Sequence, residues 1–387
     1  MSTTRTELAA AFTLMADGLE HGIAERFPVG LTVPGSEHGE QELIRAAQLA
    51  ARTNPALEIV LIGGKKTAET ARFRHYDAAG LEAAHRQMEA LLKAKEIRAA
   101  VTMHYTFPIG VTTVGKAVTP ACGKELFIAS TTGASDTGRY KAMLLNTIAG
   151  IAAAKANGIE NPSVGILNID GAPAVEKALL KLQKAGYAFA FAQSARADGG
   201  VRMRGNDLLQ GSADVIVCDS LTGNVLMKLF SSFLTGGSYE AAGSGYGPCA
   251  GTAAEEVIAI VSRASGAPVI AAALSFAARS AQGRLPERYR SELRAAEQAG
   301  LREVLASFDA PKEASGAAAV PTPVPPKKAV TEEIHGIDVI GIESACKELW
   351  KAGIYAEAGM GCTGPVILLA AEDAEQAKRI LISAEYL

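Results

Sequence analysis

Three stretches of this 387-residue chain carry side chains suited to nucleophilic or anion chemistry. The first is Ala358-Gly359-Met360-Gly361-Cys362-Thr363-Gly364-Pro365. A thiolate is the reactive form of cysteine, and it needs access and nearby dipoles to form. Glycines at 361 and 364 leave the Cys362 sulfur little steric shielding, so Cys362 is a candidate nucleophile; the alternative is a buried thiol in a tight turn. The second is Ser130-Thr131-Thr132-Gly133-Ala134-Ser135-Asp136, followed by Arg139 and Lys141. The third is Asp219-Ser220-Leu221-Thr222-Gly223-Asn224. Both read as turns from a strand into a helix, where first-turn amides are unpaired and the helix dipole favours negative charge. Ser130, Thr132, Gly133, Gly223 and Asn224 are therefore candidate anion ligands, although ordinary turns look the same. Asp219 either orients an anion or starts a turn. Arg139, Lys141, Arg202, Arg204 and Lys228 are the candidate cations, although a solvated surface charge is the plainer reading of each. Cys122, in Pro120-Ala121-Cys122-Gly123, is a second candidate thiol in a loop expected beside the same cleft.

Other chemistries lose ground. Gly64-Lys65-Lys66-Thr67 lacks the earlier glycine of a phosphate-binding P-loop, since Ile59 stands there. No G-x-G-x-x-G follows the first strand and no G-x-S-x-G elbow occurs, and the six histidines show no metal-ligand spacing. The five cysteines include no C-x-x-C pair, so neither a zinc ribbon nor a dithiol motif is expected. No cofactor or metal is called for. A net charge of −3 without basic runs argues against nucleic acid. The longest apolar run, Ala267 to Ala278, falls short of the roughly 18 residues of a membrane span. Glu7 and Asp17 interrupt the N-terminal apolar stretch, so a signal peptide is not expected and the cytoplasm is the default.

The elements that must position these residues follow an α/β grammar. Residues 1–27 read as an amphipathic helix. Strands are expected at Val29–Val33, Glu58–Ile62, Ala99–His104, Leu126–Ala129, Val164–Ile169 and Ala213–Cys218, alternating with helices that include Lys141–Asn157, 173–185 and 224–234. Such alternation implies a mainly parallel sheet with helices on both faces and ligands beyond the carboxyl ends of its strands. The ends of strands 99–104, 126–129, 164–169 and 213–218 are expected to face one cleft. A domain over 28–310 is then followed by an Ala/Pro-rich linker, 311–330, whose composition suits a spacer. The last unit, 331–387, reads as a small tethered α/β module carrying Cys362. Its expected order is helix 343–352, the Gly-rich loop Ala358–Pro365, strand Val366–Ala370 and helix 372–384.

The segments Asn161-Pro162-Ser163-Val164-Gly165-Ile166-Leu167-Asn168, Gly205, Ala213-Asp214-Val215-Ile216-Val217-Cys218-Asp219 and Gly223-Asn224-Val225-Leu226-Met227-Lys228 resemble the phosphate acyltransferases of phospholipid synthesis. The resemblance covers about residues 28–305. It implies an isocitrate/isopropylmalate-dehydrogenase-like fold and transfer of an acyl group from a thioester to inorganic phosphate. It also marks Arg202 and Arg204, before Gly205, as lying in a shared segment. The first turn (Pro34 to Gly39), the segment His104-Tyr105-Thr106-Phe107-Pro108-Ile109-Gly110 and the terminal module depart from that family. These departures look like the alpha (D) subunits of component C of the glycine/sarcosine/betaine reductase complex. That narrower resemblance implies release of acetyl phosphate, a beta subunit of component C and other reductase-complex proteins as partners, and an oligomer. It would make Cys362, or Cys122, an acetyl carrier, with Asp219 orienting phosphate or oxyanion. A lipid-synthesis phosphate acyltransferase and a non-catalytic subunit of the complex are the alternatives.

Overall fold

The computed structural model describes residues 26–196, 199–309, 323–337, 341–361, 364–384 and 386–387, with Phe12 and Met15. Phe12 and Met15 are helical, and the rest of the expected 1–27 helix up to residue 25 lies outside the described residues. So do 310–322 of the expected linker.

The chain runs β1 (Phe27–Thr32), α1 (Glu40–Thr53), β2 (Leu57–Ile62), β3 (Arg74–Tyr76), α2 (Leu81–Lys93), β4 (Ala99–Thr102), β5 (Val111–Val118) and β6 (Glu125–Ala134). It continues with α3 (Arg139–Ala156), β7 (Ser163–Leu167), α4 (Ala172–Lys184), β8 (Ala190–Phe191), β9 (Arg202–Met203), α5 (Gly205–Gln210), β10 (Val215–Val217) and α6 (Ser220–Ser232). Then come β11 (Gly247–Gly251), β12 (Ile258–Ile260), α7 (Ala267–Gln282), α8 (Leu285–Gln298) and α9 (Leu301–Ser307). Among the described residues these strands form one 12-stranded sheet ordered β3-β2-β1-β4-β12-β11-β5-β6-β10-β7-β8, with β9 beside β7.

The sheet has two parallel halves of opposite sense. β12 runs parallel to β4, but β11 is antiparallel to β12, β5 to β11 and β6 to β5. β6, β10 and β7 are then parallel to one another. Their carboxyl ends therefore lie at the edge of the sheet opposite to the carboxyl end of β4. The expected convergence of 99–104 with 126–129, 164–169 and 213–218 is corrected on this point. Its cause is the run of three antiparallel pairings, β12–β11, β11–β5 and β5–β6, which no segment's composition announces.

α3 explains why the sheet can be covered so closely. From Met143 to Ala156 every residue except Leu145 and Lys155 is buried. A helix apolar on every side belongs inside. Gly150 lets it approach β10, because a Cβ there would stand 2.5 Å from the Val215 side chain. One core lies on this face, joining α1, α3 and α7 to the sheet. Two smaller clusters fill the other face, one under α6 and one under α2.

The terminal unit comprises β13 (Glu332–His335), α10 (Ile342–Lys351), β14 (Ala356–Gly361), β15 (Gly364–Leu369) and α11 (Ala374–Ser383). Its strands form a separate antiparallel sheet, β13-β15-β14, over a core that includes Ile334, Leu349, Ile367 and Leu381. The expected loop Ala358–Pro365 is mostly strand. Glycine-rich sequence signals a turn locally, but cross-strand pairing with Gly364–Leu369 extends β14 through Gly361.

Candidate functional site

β6 and β10 pair in register, Val215 with Phe127 and Val217 with Ala129, so they deliver Ser130 and Asp219 to one edge of the sheet. Two local elements differ from the expected turns. β6 continues through Ala134, so Ser130–Gly133 is strand, held by the antiparallel β5, and the turn into α3 is Ser135–Gly138. α6 starts at Ser220, so Gly223 and Asn224 lie within its first turns and not in a loop.

Asp219 is the N-cap of α6, accepting from the Thr222 amide at 3.0 Å and from the Thr222 hydroxyl at 2.8 Å. Gly223 is required by contact: a Cβ there would stand 1.8 Å from the Ser130 carbonyl oxygen. Asn224 Nδ2 donates to the Thr131 carbonyl at 3.2 Å. Glycine and asparagine thus seat the first turn of α6 directly on β6.

The result is a cleft of about 140 Å³ lined by Ser130, Gly133, Asp136, Arg139, Asn146 and Asp219, among others. Two helix starts converge on it, that of α3 at Arg139 and that of α6 at Ser220. The Arg139 guanidinium donates to Asp170 at 3.1 Å and to Asp219 at 3.0 Å. Burial alone would raise the Asp219 pKa, but the Thr222 hydrogen bonds and the Arg139 charge outweigh it and hold the carboxyl below its ordinary range. Ser130 is buried, its hydroxyl engaged by Thr112 and by the Thr132 carbonyl at 3.0 Å. Thr132 Oγ1 is 2.9 Å from Thr113 Oγ1.

Sequence reasoning missed Asn146. It is buried in α3, accepts from the Ser135 hydroxyl at 2.6 Å and donates to the Cys218 carbonyl at 3.0 Å, tying the α3 turn to the end of β10. A lone amide in the apolar stretch of a helix was the available signal.

Other expected residues lie elsewhere. Cys122 precedes β6, so it sits at the opposite end of that strand from the cleft. Five residues separate Glu125 from Ser130, about 17 Å of strand. Its sulfur instead contacts Thr119 Oγ1 and donates to the Gln210 carbonyl, both at 3.1 Å. Arg202 pairs with Glu176 at 3.1 Å. Arg204 caps the short helix α5, its amide donating to Asp207 at 2.9 Å. Lys228, two turns along α6, pairs with the buried Glu240 at 3.1 Å and Ser262 at 3.0 Å. Lys141 pairs with Asp309. Arg139 alone of the five expected cations lines the cleft. Cys362 lies outside the described residues, between Gly361 and Gly364, which pair across the β14–β15 hairpin. Among the described residues no three His, Cys, Asp or Glu gather as metal ligands, and no helix is long and apolar enough to cross a membrane.

Residues 27–368 match the family described as "Fatty acid synthesis protein". The chain belongs to that family. The match continues beyond residue 305, where the expected similarity stopped, and runs into β15 of the terminal unit. Similar proteins differ in how much they share with this chain. The glycine/sarcosine/betaine reductase complex component C subunit alpha of Peptoclostridium acidaminophilum is 50% identical over 386 residues, 99% of each chain. The phosphate acyltransferase of Bacillus cereus strain G9842 is 42% identical over 76 residues, 20% of this chain and 22% of its own. That of Acetivibrio thermocellus is 38% identical over 82 residues, 21% of this chain and 22% of its own.

Proposed function

We propose that the chain is an acyltransferase subunit of a glycine/sarcosine/betaine-type reductase complex, converting an enzyme-bound acetyl thioester and inorganic phosphate to acetyl phosphate. The observation that carries this reading is the convergence of two helix starts and Arg139 on one cleft, in a chain 50% identical to a component C alpha subunit.

The chemistry suits the cleft. A phosphate oxygen attacks the thioester carbonyl, the C=O bond opens to an oxyanion, and its collapse expels the thiolate as the C–S bond breaks. Phosphate is a weak nucleophile, so alignment and charge stabilisation do most of the work. Arg139 is bound to two carboxylates in the free chain, and such half-exposed ion pairs contribute only about 0–1 kcal/mol. Exchange of Asp170 for phosphate therefore costs little, while Asp219 keeps the guanidinium aimed into the cleft. Cys362 receives the acetyl group in this scheme as its thiolate attacks the thioester carbonyl, forming a new C–S bond as the partner thiolate leaves, and presents it to phosphate, with no cofactor or metal required. The five thiols accord with a reducing, cytoplasmic location.

The partner surface in this reading is the outer face of α6. Leu221, Val225, Leu229 and Phe233 recur every four residues and are all exposed. Solvent-exposed apolar stripes mark interaction sites. Leu221 lies two positions from Asp219, so another subunit of the complex, the beta subunit of component C foremost, docks beside the cleft. Purified chain should form acetyl phosphate from the beta subunit's acetyl thioester, and Arg139→Ala should lower that rate at least about tenfold. Unchanged turnover in Arg139→Ala would move the chemistry to the beta subunit. Leu229→Glu should abolish co-elution with the beta subunit; retained co-elution would remove α6 from the interface.

A further inference from the structure

The two segments that form the cleft are bridged twice. At the mouth the Arg139 guanidinium, at the start of α3, meets Asp219 at 3.0 Å, and both side chains are partly exposed. The second bridge is Asn146, about two turns further along α3, which also lines the cleft and is 2% exposed. Its Oδ1 accepts from the Ser135 hydroxyl at 2.6 Å, and its Nδ2 donates to the Cys218 carbonyl at 3.0 Å. Ser135 opens the turn that leads into Arg139, and Cys218 immediately precedes Asp219. One buried amide therefore fixes the backbone on both sides of the Arg139–Asp219 pair.

Each arm reaches a further anchor. The Cys218 carbonyl also accepts from the Ser130 amide at 3.3 Å, so Asn146 holds the rung that joins β10 to β6 beside the cleft. On the other arm the Asp136 carboxylate accepts from the Gly138 amide at 2.7 Å, which shapes the rest of the turn between Ser135 and Arg139. The two bridges differ in strength. A half-exposed ion pair is weak and open to exchange, whereas breaking a buried hydrogen bond leaves its partners unsatisfied and away from water.

We propose that Asn146 is the positioning residue of the cleft, setting the spacing of the α3 and α6 starts so that Arg139 and Asp219 are held ready for an oxyanion. This inference rests on the reading of the cleft as the phosphate site. In that reading phosphate displaces Asp170 from Arg139, and Asp219 keeps the guanidinium aimed only while its own backbone is fixed. Asn146 touches no reacting atom and acts through Cys218, Asp219 and Arg139. A binding group holds its geometry when a supporting set of contacts locks it, and a neutral amide does so without adding charge beside the anion.

Isothermal titration of the full chain with sulfate, a dianion at all the pH values used, tests this. Carboxylates and guanidinium groups keep their charge between about pH 5 and about pH 8, so wild-type affinity should be flat across that window. Asn146→Leu keeps the volume but strands the Ser135 hydroxyl and the Cys218 carbonyl, and should weaken binding about fivefold or more throughout. Asn146→Asp separates position from packing. Its neutral carboxyl can accept from Ser135 and donate to Cys218, while the ionised form can only accept. Burial disfavours the ionised form and lifts the midpoint above the ordinary value of about 3.9. Affinity of Asn146→Asp should therefore approach wild type near about pH 5 and fall at least about fivefold by about pH 8. Wild-type affinity in Asn146→Leu, or no recovery of Asn146→Asp on acidification, overturns the proposal. Should Asn146→Leu fail to fold, Ser135→Ala cuts one arm and should weaken binding about threefold; unchanged affinity there overturns the proposal equally. If the variants bind as the wild type does, Asn146 alone loses its role. If the wild type binds neither sulfate nor inorganic phosphate, the phosphate reading of the cleft falls with it.

Discussion

Arg139 and Asp219 stand 80 positions apart and share a hydrogen bond of 3.0 Å at the mouth of the cleft. One residue opens α3 and the other caps α6, so this contact joins the two helix starts. It also fixes the guanidinium beside the start of α6.

Asp219 serves stability as well as position. Asp219→Ala removes the cap of α6 and should cost about 1 kcal/mol in chemical denaturation. The carboxyl titrates below its unfolded value, so its contribution is complete above about pH 4. As pH falls through the lower folded value, protonation removes it. The difference in stability between wild type and Asp219→Ala should accordingly shrink only on acidification below about pH 4. A gap that narrows as the solution is made alkaline would contradict the assignment.

Gly223 is expected to tolerate nothing larger. The Cβ of Gly223→Ala would meet backbone, the Ser130 carbonyl, and not a side chain that can rotate away. Overpacking of this kind typically costs about 1–3 kcal/mol, and a backbone clash this close belongs at the upper end. The melting temperature of Gly223→Ala should therefore fall by several degrees, with Asn224→Ala milder because only one hydrogen bond is lost.

Among the four cysteines within the described residues, Cys122 should alkylate first. It is exposed, and the Thr119 hydroxyl and Lys124 amide favour its thiolate, drawing the pKa down. Burial pushes Cys218 well above the ordinary thiol range, and Cys249 and Cys346 up to about 11. Mass-spectrometric mapping of iodoacetamide adducts across neutral to mildly alkaline pH gives the order directly. Thr119→Val should move the Cys122 midpoint upward; an unmoved midpoint would remove the hydrogen bond as its cause.

Cys362 is the expected acetyl carrier, and the test is chemical. Incubation with acetyl phosphate should leave a hydroxylamine-labile acetyl label on the terminal unit, absent in Cys362→Ser. Turnover with the beta subunit's thioester should drop at least about a hundredfold. Full transfer by Cys362→Ser would reduce the terminal unit to a docking element, and Cys122→Ser, with its thiol at the far end of β6, should leave turnover unchanged.

The segments Val164–Ile169 and Ala213–Cys218 declared their strands in advance because both are buried on two faces and need only a run of apolar residues. Asp219 declared a turn out of its strand, because a short carboxylate satisfies amides two or three residues ahead, but not that α6 begins at once at Ser220. The reversal of sense between β12 and β6 could not be read this way. It depends on which edges pair across more than a hundred residues, and an antiparallel insertion such as Gly247-Pro248-Cys249-Ala250-Gly251 has no periodicity of its own. Strand direction likewise placed Cys122 at the far end of β6 from the cleft, and the packing of α6 left Lys228 facing Glu240. Local sequence determined which residues turn, cap and pack; only the tertiary structure decided which of the expected cations reaches the cleft, because charge pairing acts through space between strands and helices that the chain order keeps apart.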